Sequence, residues 1–426
     1  MTTYDVLIAG GGPAGSSAAA RLRQLGRSVV VLDRERHPRF HIGESLLPFT
    51  MPLLSKIGFL DTLENAGFVR KWGSRFMTGD GSVGHTFYFQ DGLLDGAPGA
   101  WQVLRSRFDQ LLFQHAGTQG AELRENHTLK DIRFESEQVS ATVADPQGVS
   151  HEIRARFFVD ATGRDAFLAT RAKERTMDPA LRKVAVFAHY TGAFRDEGRD
   201  AGNTISVVLR NGWIWVIPLD NDVTSVGVVV DGEAYRQAAM PPEAYLDAVL
   251  AEVPTLRTRL EQGQRTSIVR VTSDFSYSTA RLHGPRFLVL GDAGFFLDPI
   301  FSSGVHLAIT SGIAGAEAID AALNGQHRPD PFVAYEKAMR QTQGTYYKFI
   351  HGWYTPGFLE LFLRPSRNFR LLEAITSVLA GATTTWRLRA RVKLFFFLVW
   401  LNRHVVSLEP TIDRRQLPPR LGEPVL

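Results

Sequence analysis

The stretch from Tyr4 to Glu35, YDVLIAGGGPAGSSAAARLRQLGRSVVVLDRE, admits few folds. An apolar strand over Asp5–Ala9 runs into Gly10-Gly11-Gly12-Pro13-Ala14-Gly15. A helix of small residues follows to about Leu25, Gly26 ends it, and Val29–Leu32 form a second strand closed by Asp33. Each glycine has a separate reason to be there. Gly10 permits the tight turn, Gly12 lets the backbone approach a pyrophosphate, and Gly15 lets helix and strand pack closely. The helix N-terminus offers free N–H groups to phosphates, and an acid at the end of the second strand accepts from a ribose hydroxyl. The segment reads as a dinucleotide-binding βαβ unit, with Gly10, Gly12, Ala14, Gly15 and Asp33 as its contacts.

With 426 residues the chain exceeds the usual limit of one core, so more than one packed unit is expected. Residues 99–123 read as a helix with Phe108, Leu111 and Leu112 on one face, leading to a strand. VSATVADPQGVSHEIRARFFVDATG is a hairpin that ends in an apolar strand. From Val184 to Val230 the pattern turns to β, with turns at Asn211-Gly212 and Asp220–Asp222. RFLVLGDAG, from Arg286 to Gly294, returns to the first sheet, and beyond Gly344 the pattern is mostly helical. The expected class is α/β, a Rossmann-like domain with an inserted antiparallel sheet and a helical C-terminal part.

Several functions are set aside by composition. The chain has no cysteine, which removes disulfides, thiolate zinc sites and a cysteine nucleophile, and fits a reducing cytoplasm. Its 48 basic and 44 acidic residues show no dense basic block, so nucleic acid is not an expected partner. His37 and His41 flank a proline and lack a third ligand, so no metal site is expected. The run LFFFLVWL at Leu394–Leu401 is shorter than the ~20 residues of a membrane span. Apolar residues surround any helix drawn through it, so burial against the body is expected.

Four separated motifs then coincide: GGGPAG, VDATG at Val159–Gly163, LGDAG at Leu290–Gly294 and WIWVIP at Trp213–Pro218. The first three resemble the FAD-binding fold of aromatic hydroxylases and geranylgeranyl reductases. The fourth resembles the tryptophan signature of flavin-dependent halogenases. GDAGFFLDPIFSSGVHLA (Gly291–Ala308), HIGESLLP (His41–Pro48) and VLRSRFDQLL (Val103–Leu112) resemble further segments of that family. The likeness is good to about residue 345 and loose beyond. It implies an FAD-binding domain over residues 1–75, 101–180 and 281–345. A substrate domain would occupy 76–100 and 181–280, and a helical region 346–426.

The resemblance implies a reaction in which reduced FAD and dioxygen oxidise chloride or bromide to hypohalous acid. Lys71, in GFVRKWGSRF, aligns with the lysine that receives this acid and passes it to an electron-rich ring. Guanidinium presents no free lone pair, so arginine could not replace it. Ser303 and Gly304 are the implied halide site, where main-chain N–H groups and a helix N-terminus form an anion nest. Trp213 and Trp215 alternate on one strand and face one side; with Phe301 they are the implied barrier between flavin and substrate. Phe301 also stands where tryptophan halogenases carry a glutamate, which points to the branch acting on phenols and pyrroles. Arg39, Ser45, Arg105, Asp292 and Pro299 join the glycine motif and Gly304 as implied flavin contacts.

The implied partners are a separate flavin reductase, because only one dinucleotide fingerprint is present, and an aromatic substrate, free or tethered to an acyl or peptidyl carrier protein. The rival readings are a flavin monooxygenase, a geranylgeranyl-type ene-reductase, and a non-catalytic flavin-binding assembly protein.

Overall fold

β1 (Thr3–Ala9) and β2 (Val29–Leu32) are buried along most of their length and pair in parallel, with Val6 opposite Val29. On the other side of β1 lies β3 (Ser150–Asp160), also parallel, with Ile8 opposite Val159. Phe287–Val289 extends the sheet beyond β3, and Glu122–Arg124 extends it beyond β2. Strands buried on both faces carry continuous Val/Ile/Leu runs, which is what VLIA and VVVL supply. The Val139–Ala144 strand pairs antiparallel with β3 as the predicted hairpin. The computed structural model describes residues 3–93, 98–220, 222–273, 276–326 and 328–418. Asn221, inside one predicted turn, lies outside them.

Between β1 and β2 runs α1 (Pro13–Gln24), followed by Gly26 at φ +82°. The predicted helix in residues 99–123 begins later than its apolar pattern suggests. Ala100–Gln102 is a short strand against Val69–Lys71, and α2 covers Arg105–Thr118. Trp101 and Gln102 are buried in that ribbon, so tertiary pairing overrides local periodicity there.

A second sheet contains β4 (Lys183–Thr191), β5 (Thr204–Val208), β6 (Gly212–Pro218) and β7 (Thr224–Asp231). Its central order is β4-β7-β6-β5, antiparallel throughout, and Gly73–Thr78 adds in parallel to β5. Side chains alternate between faces with period two. Val186, Ile214, Val216 and Val228 face a helix over Pro242–Glu252 through Leu246 and Val249. Phe187, Trp213, Trp215 and Val229 face the opposite way, into the main core. The helices Gly232–Ala238, Pro242–Glu252 and Pro254–Arg259 were not foreseen in the sequence and cover the outer face of this sheet.

The C-terminal part is helical as expected. α3 (Gly304–Leu323) packs on α1 so closely that a Cβ at Gly312 would lie 2.5 Å from the Ala14 carbonyl oxygen. α4 (Pro331–Trp353) is capped by Asp330, which accepts from the amide of Phe332 at 2.8 Å. α5 (Trp386–His404) corrects one expectation: the aromatic run is only half buried. Leu388, Val392, Phe395 and Val399 face the body, whereas Phe397 and Trp400 are 53% and 51% exposed. A helix packed on one side can bury one stripe, and this run has apolar residues on every side.

Candidate active site

Three motifs meet because their strands are parallel and adjacent. GGGPAG follows β1, Ala161-Thr162-Gly163 follows β3, and Gly291-Asp292 follows Phe287–Val289 by one residue. Carboxyl ends of a parallel sheet are where such folds bind ligands. A cleft of about 770 Å³ opens there and continues to the inner face of the second sheet. Gly10, Gly12, Ala14, Asp33, Arg39, Ser45, Arg105, Trp213, Trp215, Asp292, Pro299, Ser303 and Gly304 all line it. Gly15 lies beneath, where a Cβ would strike the Gly10 carbonyl oxygen at 1.9 Å. Lys71 and Phe301 are not on the wall.

The nucleotide end is made largely of backbone. Gly10 has φ +107°, a conformation L side chains rarely adopt. Among the described residues, a Cβ at Gly12 would meet only the Arg39 guanidinium within 4 Å, at 3.5 Å, and one at Gly304 would meet nothing within that distance. The amides of Gly12, Ala14 and Gly15 have no protein acceptor among the described residues. Asp33 accepts from the amides of Gly11 and Glu35 and from Arg39, at 2.9–3.2 Å. Two carboxylate oxygens offer about four acceptor sites, so one remains for a hydroxyl. Arg105 grips the fully buried Asp109 with two nitrogens at 2.8 and 3.0 Å, and Arg39 reaches the same carboxylate at 3.4 Å. Arginine keeps the Asp109 carboxyl below its ordinary range even though burial opposes this. Burial pushes Asp292 up to about 6. Free amides, side-chain-free approaches and an acid at the second strand together fit FAD.

At the other end, Pro299–Phe301 form one 3₁₀ turn and Ser302 turns the chain with φ 53°, a left-handed conformation rare for serine. Ser303 then caps α3, and the amides of Ser303, Gly304 and Val305 have no protein acceptor among the described residues. Phe301 points away from the cleft into rings of Phe76, Phe349, Trp353 and Phe362, with centroids 5.9–6.1 Å apart. Trp213 and Trp215 stand 5.8 Å apart on the cleft wall. Trp215 lies flat over Gly227 of β7, where any Cβ would be 2.1 Å from the indole.

Lys71 is completely buried. Its ammonium donates to the Ser45 hydroxyl at 2.7 Å and the Leu46 carbonyl at 3.4 Å, and lies 5.1 Å from the Phe89 ring centre. Burial pulls its pKa down to about 7. Ser45 itself is on the cleft wall, so one hydroxyl separates the amine from the cleft. His306 is a buried helix residue hydrogen-bonded to Thr50 at 3.1 Å, and burial lowers its pKa to about 4.

The model of the FAD binding domain family matches residues 3–346. A flavin-dependent halogenase of Penicillium aethiopicum is 38% identical over 347 residues, 75% of this chain; the match spans 65% of that enzyme's length. The 1H-pyrrole-2-carbonyl-[peptidyl-carrier protein] chlorinase of Pseudomonas fluorescens is 31% identical over 86% of this chain and 87% of its own. The solved flavin-dependent brominase Bmp2 superposes with a TM-score of 0.85 at 29% identity, over 94% of this chain and 98% of that one. The chain belongs to the flavin-dependent halogenases.

For a halogenase, the cleft contains side chains that the motifs did not single out. Glu44 is buried beside Ser45; one of its oxygens is 2.8 Å from His189 Nε2 and the other has no partner among the described residues. Asp298 lines the cleft, accepts from the Ile300 amide at 3.0 Å and from the Tyr354 hydroxyl at 2.7 Å, and burial pushes it up to about 6. Tyr354 in turn accepts from the Trp213 indole at 3.0 Å. Glu44 and Asp298 stood inside segments that were already conspicuous. Nothing in the sequence marks Tyr354, which arrives from the end of α4. No described helix is long and apolar enough to cross a membrane.

Proposed function

We propose that the chain is an FADH2-dependent halogenase that places chlorine or bromine on an electron-rich phenol or pyrrole, tethered to a carrier protein. Two sheets divide the labour: the parallel sheet holds the cofactor and the antiparallel sheet walls the substrate side. Gly10, Gly12, Ala14, Gly15, Asp33, Arg39 and Arg105 would hold FAD, with Ser45, Asp292, Pro299 and Gly304 nearer the ring. Reduced flavin there supplies, with dioxygen, the oxidation of halide to hypohalous acid; a separate flavin reductase supplies the electrons.

The chain's own groups do the rest. The free amides of Ser303 and Gly304, at the positive end of α3, hold the halide. Trp213 and Trp215 keep the organic ring off the flavin. Lys71 receives the acid: its neutral nitrogen displaces water from HOX to give N–X, or its ammonium orients HOX by hydrogen bonding. Halogen then passes to the ring carbon, which loses its proton. The observation that carries this reading is the fully buried amine, one hydroxyl from the cleft and without a carboxylate partner among the described residues. A carboxylate partner would hold the amine protonated, and here the acceptors are neutral. The carrier-tethered substrate is supported by the relative named above, which acts on a pyrrole bound to a peptidyl carrier.

The test combines the chain, FAD, NADH, a flavin reductase and bromide with phenols and pyrrole-2-carboxylate, free and as carrier thioesters. Mass spectrometry should show one hydrogen replaced by bromine, doubled by its isotopes. Hydroxylated or saturated product regardless of halide would move the chain to the monooxygenases or ene-reductases. FAD binding with no product under any reductant would leave an assembly protein.

A further inference from the structure

α5 carries Arg387, Arg389, Arg391, Lys393 and Arg403 and not one acidic residue. Among the described residues, none of these five cations lies in an ion pair, whereas Arg21, Arg27, Arg105 and Arg259 all do. The net charge of the chain is only +4, so this helix is a local excess and not a sample of a basic surface. On the same outer face three large rings stand in water: Trp386 is 70% exposed, Phe397 53% and Trp400 51%. Phe397 and Trp400 stack with centroids 6.1 Å apart.

We propose that the outer face of α5 is the docking surface for the acidic carrier protein that delivers the tethered ring; the inference rests on the carrier-tethered reading of the function. The helix lies close to the site. Phe396 on its inner side is 5.2 Å from Phe349, and Phe349 is 6.0 Å from Phe301, which directly precedes the Ser302-Ser303 turn. Two ring layers therefore separate the helix from the halide turn. The character of the exposed face selects a protein over a lipid surface. A helix that lies in a membrane interface keeps its apolar face for the lipid and its cations on the other. Here the apolar stripe is used against the body, and the exposed rings share the outward side with the exposed Arg387, Arg389 and Lys393. Exposed Trp beside Arg is the composition of a protein-binding hot spot. Unneutralised charge gives orientation and a salt-dependent association rate toward an acidic partner.

The probe is a peptidyl carrier protein, phosphopantetheinylated and loaded with pyrrole-2-carboxylate, offered to the full chain. Fluorescence anisotropy of the labelled carrier reads binding without any turnover, and steady-state bromination reads KM and kcat. The double variant Arg389→Glu, Lys393→Glu should weaken binding and raise KM at least tenfold. Its turnover of the small pyrrole-2-carbonyl N-acetylcysteamine thioester should not change. Raising salt should weaken the wild type toward the variant. If the double variant does not fold, by circular dichroism, Trp400→Ala serves in its place.

Carrier that binds and reacts equally well with wild type and variants overturns the docking surface and leaves the carrier reading standing. A wild type that ignores the loaded carrier and brominates only the untethered ring overturns both. If the variants lose sedimentation with phosphatidylglycerol vesicles while carrier binding is unchanged, the face belongs to a membrane and the proposal is wrong.

Discussion

Two lysines are buried to a similar degree, Lys71 at 0% and Lys183 at 4% exposure, yet their surroundings are opposite. Lys183 is ion-paired with Asp231 and lies 3.9 Å from the centre of the Tyr354 ring. Lys71 meets a hydroxyl, a carbonyl and the Phe89 ring, all neutral. Removing an ammonium from water is costly, and a carboxylate offsets much of that cost while neutral oxygens do not. One lysine is tied into an ion pair, whereas burial without a carboxylate pulls the other down to about 7. The contrast depends on what stands beside the amine, not on how deep it lies.

The largest expected effect follows from the unpaired amine. Lys71→Ala should lower halogenation by at least about 10²-fold, the scale of a positioned acid–base group, while FAD binding, read by flavin fluorescence, stays within a factor of about two. Lys71→Arg should be equally inactive because guanidinium keeps its proton. Unchanged product yield in either variant would remove the residue from the mechanism. Lys183→Met should act on stability instead. Asp231 is half-exposed and regains water, so the loss should be about 2 kcal/mol in urea denaturation, below the 3–5 typical of fully buried pairs. A Lys183 variant that stays fully stable but inactive would invert the comparison.

The amine's proton can be moved by its one good acceptor. With Lys71 near 7, halogenation that needs the free amine should rise through about pH 7 toward alkaline values. Ser45 accepts from the charged form and so favours it. Ser45→Ala removes that preference, and the midpoint should fall by about one pH unit. A shift toward alkaline pH would mean that the hydroxyl was stabilising the neutral amine.

How much of this was legible in the sequence depends on whether backbone or side chain does the work. Gly10 and Gly15 were legible because a missing Cβ is a local property; a φ of +107° at Gly10 and a 1.9 Å approach at Gly15 involve only residues of the same short motif. β6 was legible too, since period two puts Trp213 and Trp215 on one face and Ile214 and Val216 on the other. The Ala100–Gln102 strand was not, because it is made by pairing with Val69–Lys71 and with Ser45, both distant in sequence. The partners of Lys71 come from 26 and 25 residues away, and those of Trp213 from 141. The absence of a carboxylate beside an amine cannot be read from one dimension. Family resemblance pointed to Lys71; it gave no reason to look at Tyr354.

Tyr354 links the ion-paired lysine to the cleft, since its ring faces Lys183 and its hydroxyl holds Trp213 on the cleft wall. Tyr354→Phe deletes the donor to Asp298 and the acceptor for the indole N–H, leaving both buried groups a partner short. The expected cost is about 1 kcal/mol or slightly more, read by urea denaturation. Asp298, already near 6, loses a donor that favoured its ionised form and should move further up. The functional consequence should be distinct from that of Lys71. A loosened Trp213 lets hypohalous acid escape, so the fraction trapped by added taurine per flavin oxidised should rise, while the pH midpoint near 7 stays where it was. Loss of Lys71 should also raise trapping, but it removes the midpoint altogether. If Tyr354→Phe moves the midpoint without raising trapping, the hydroxyl acts on the amine and not on the wall.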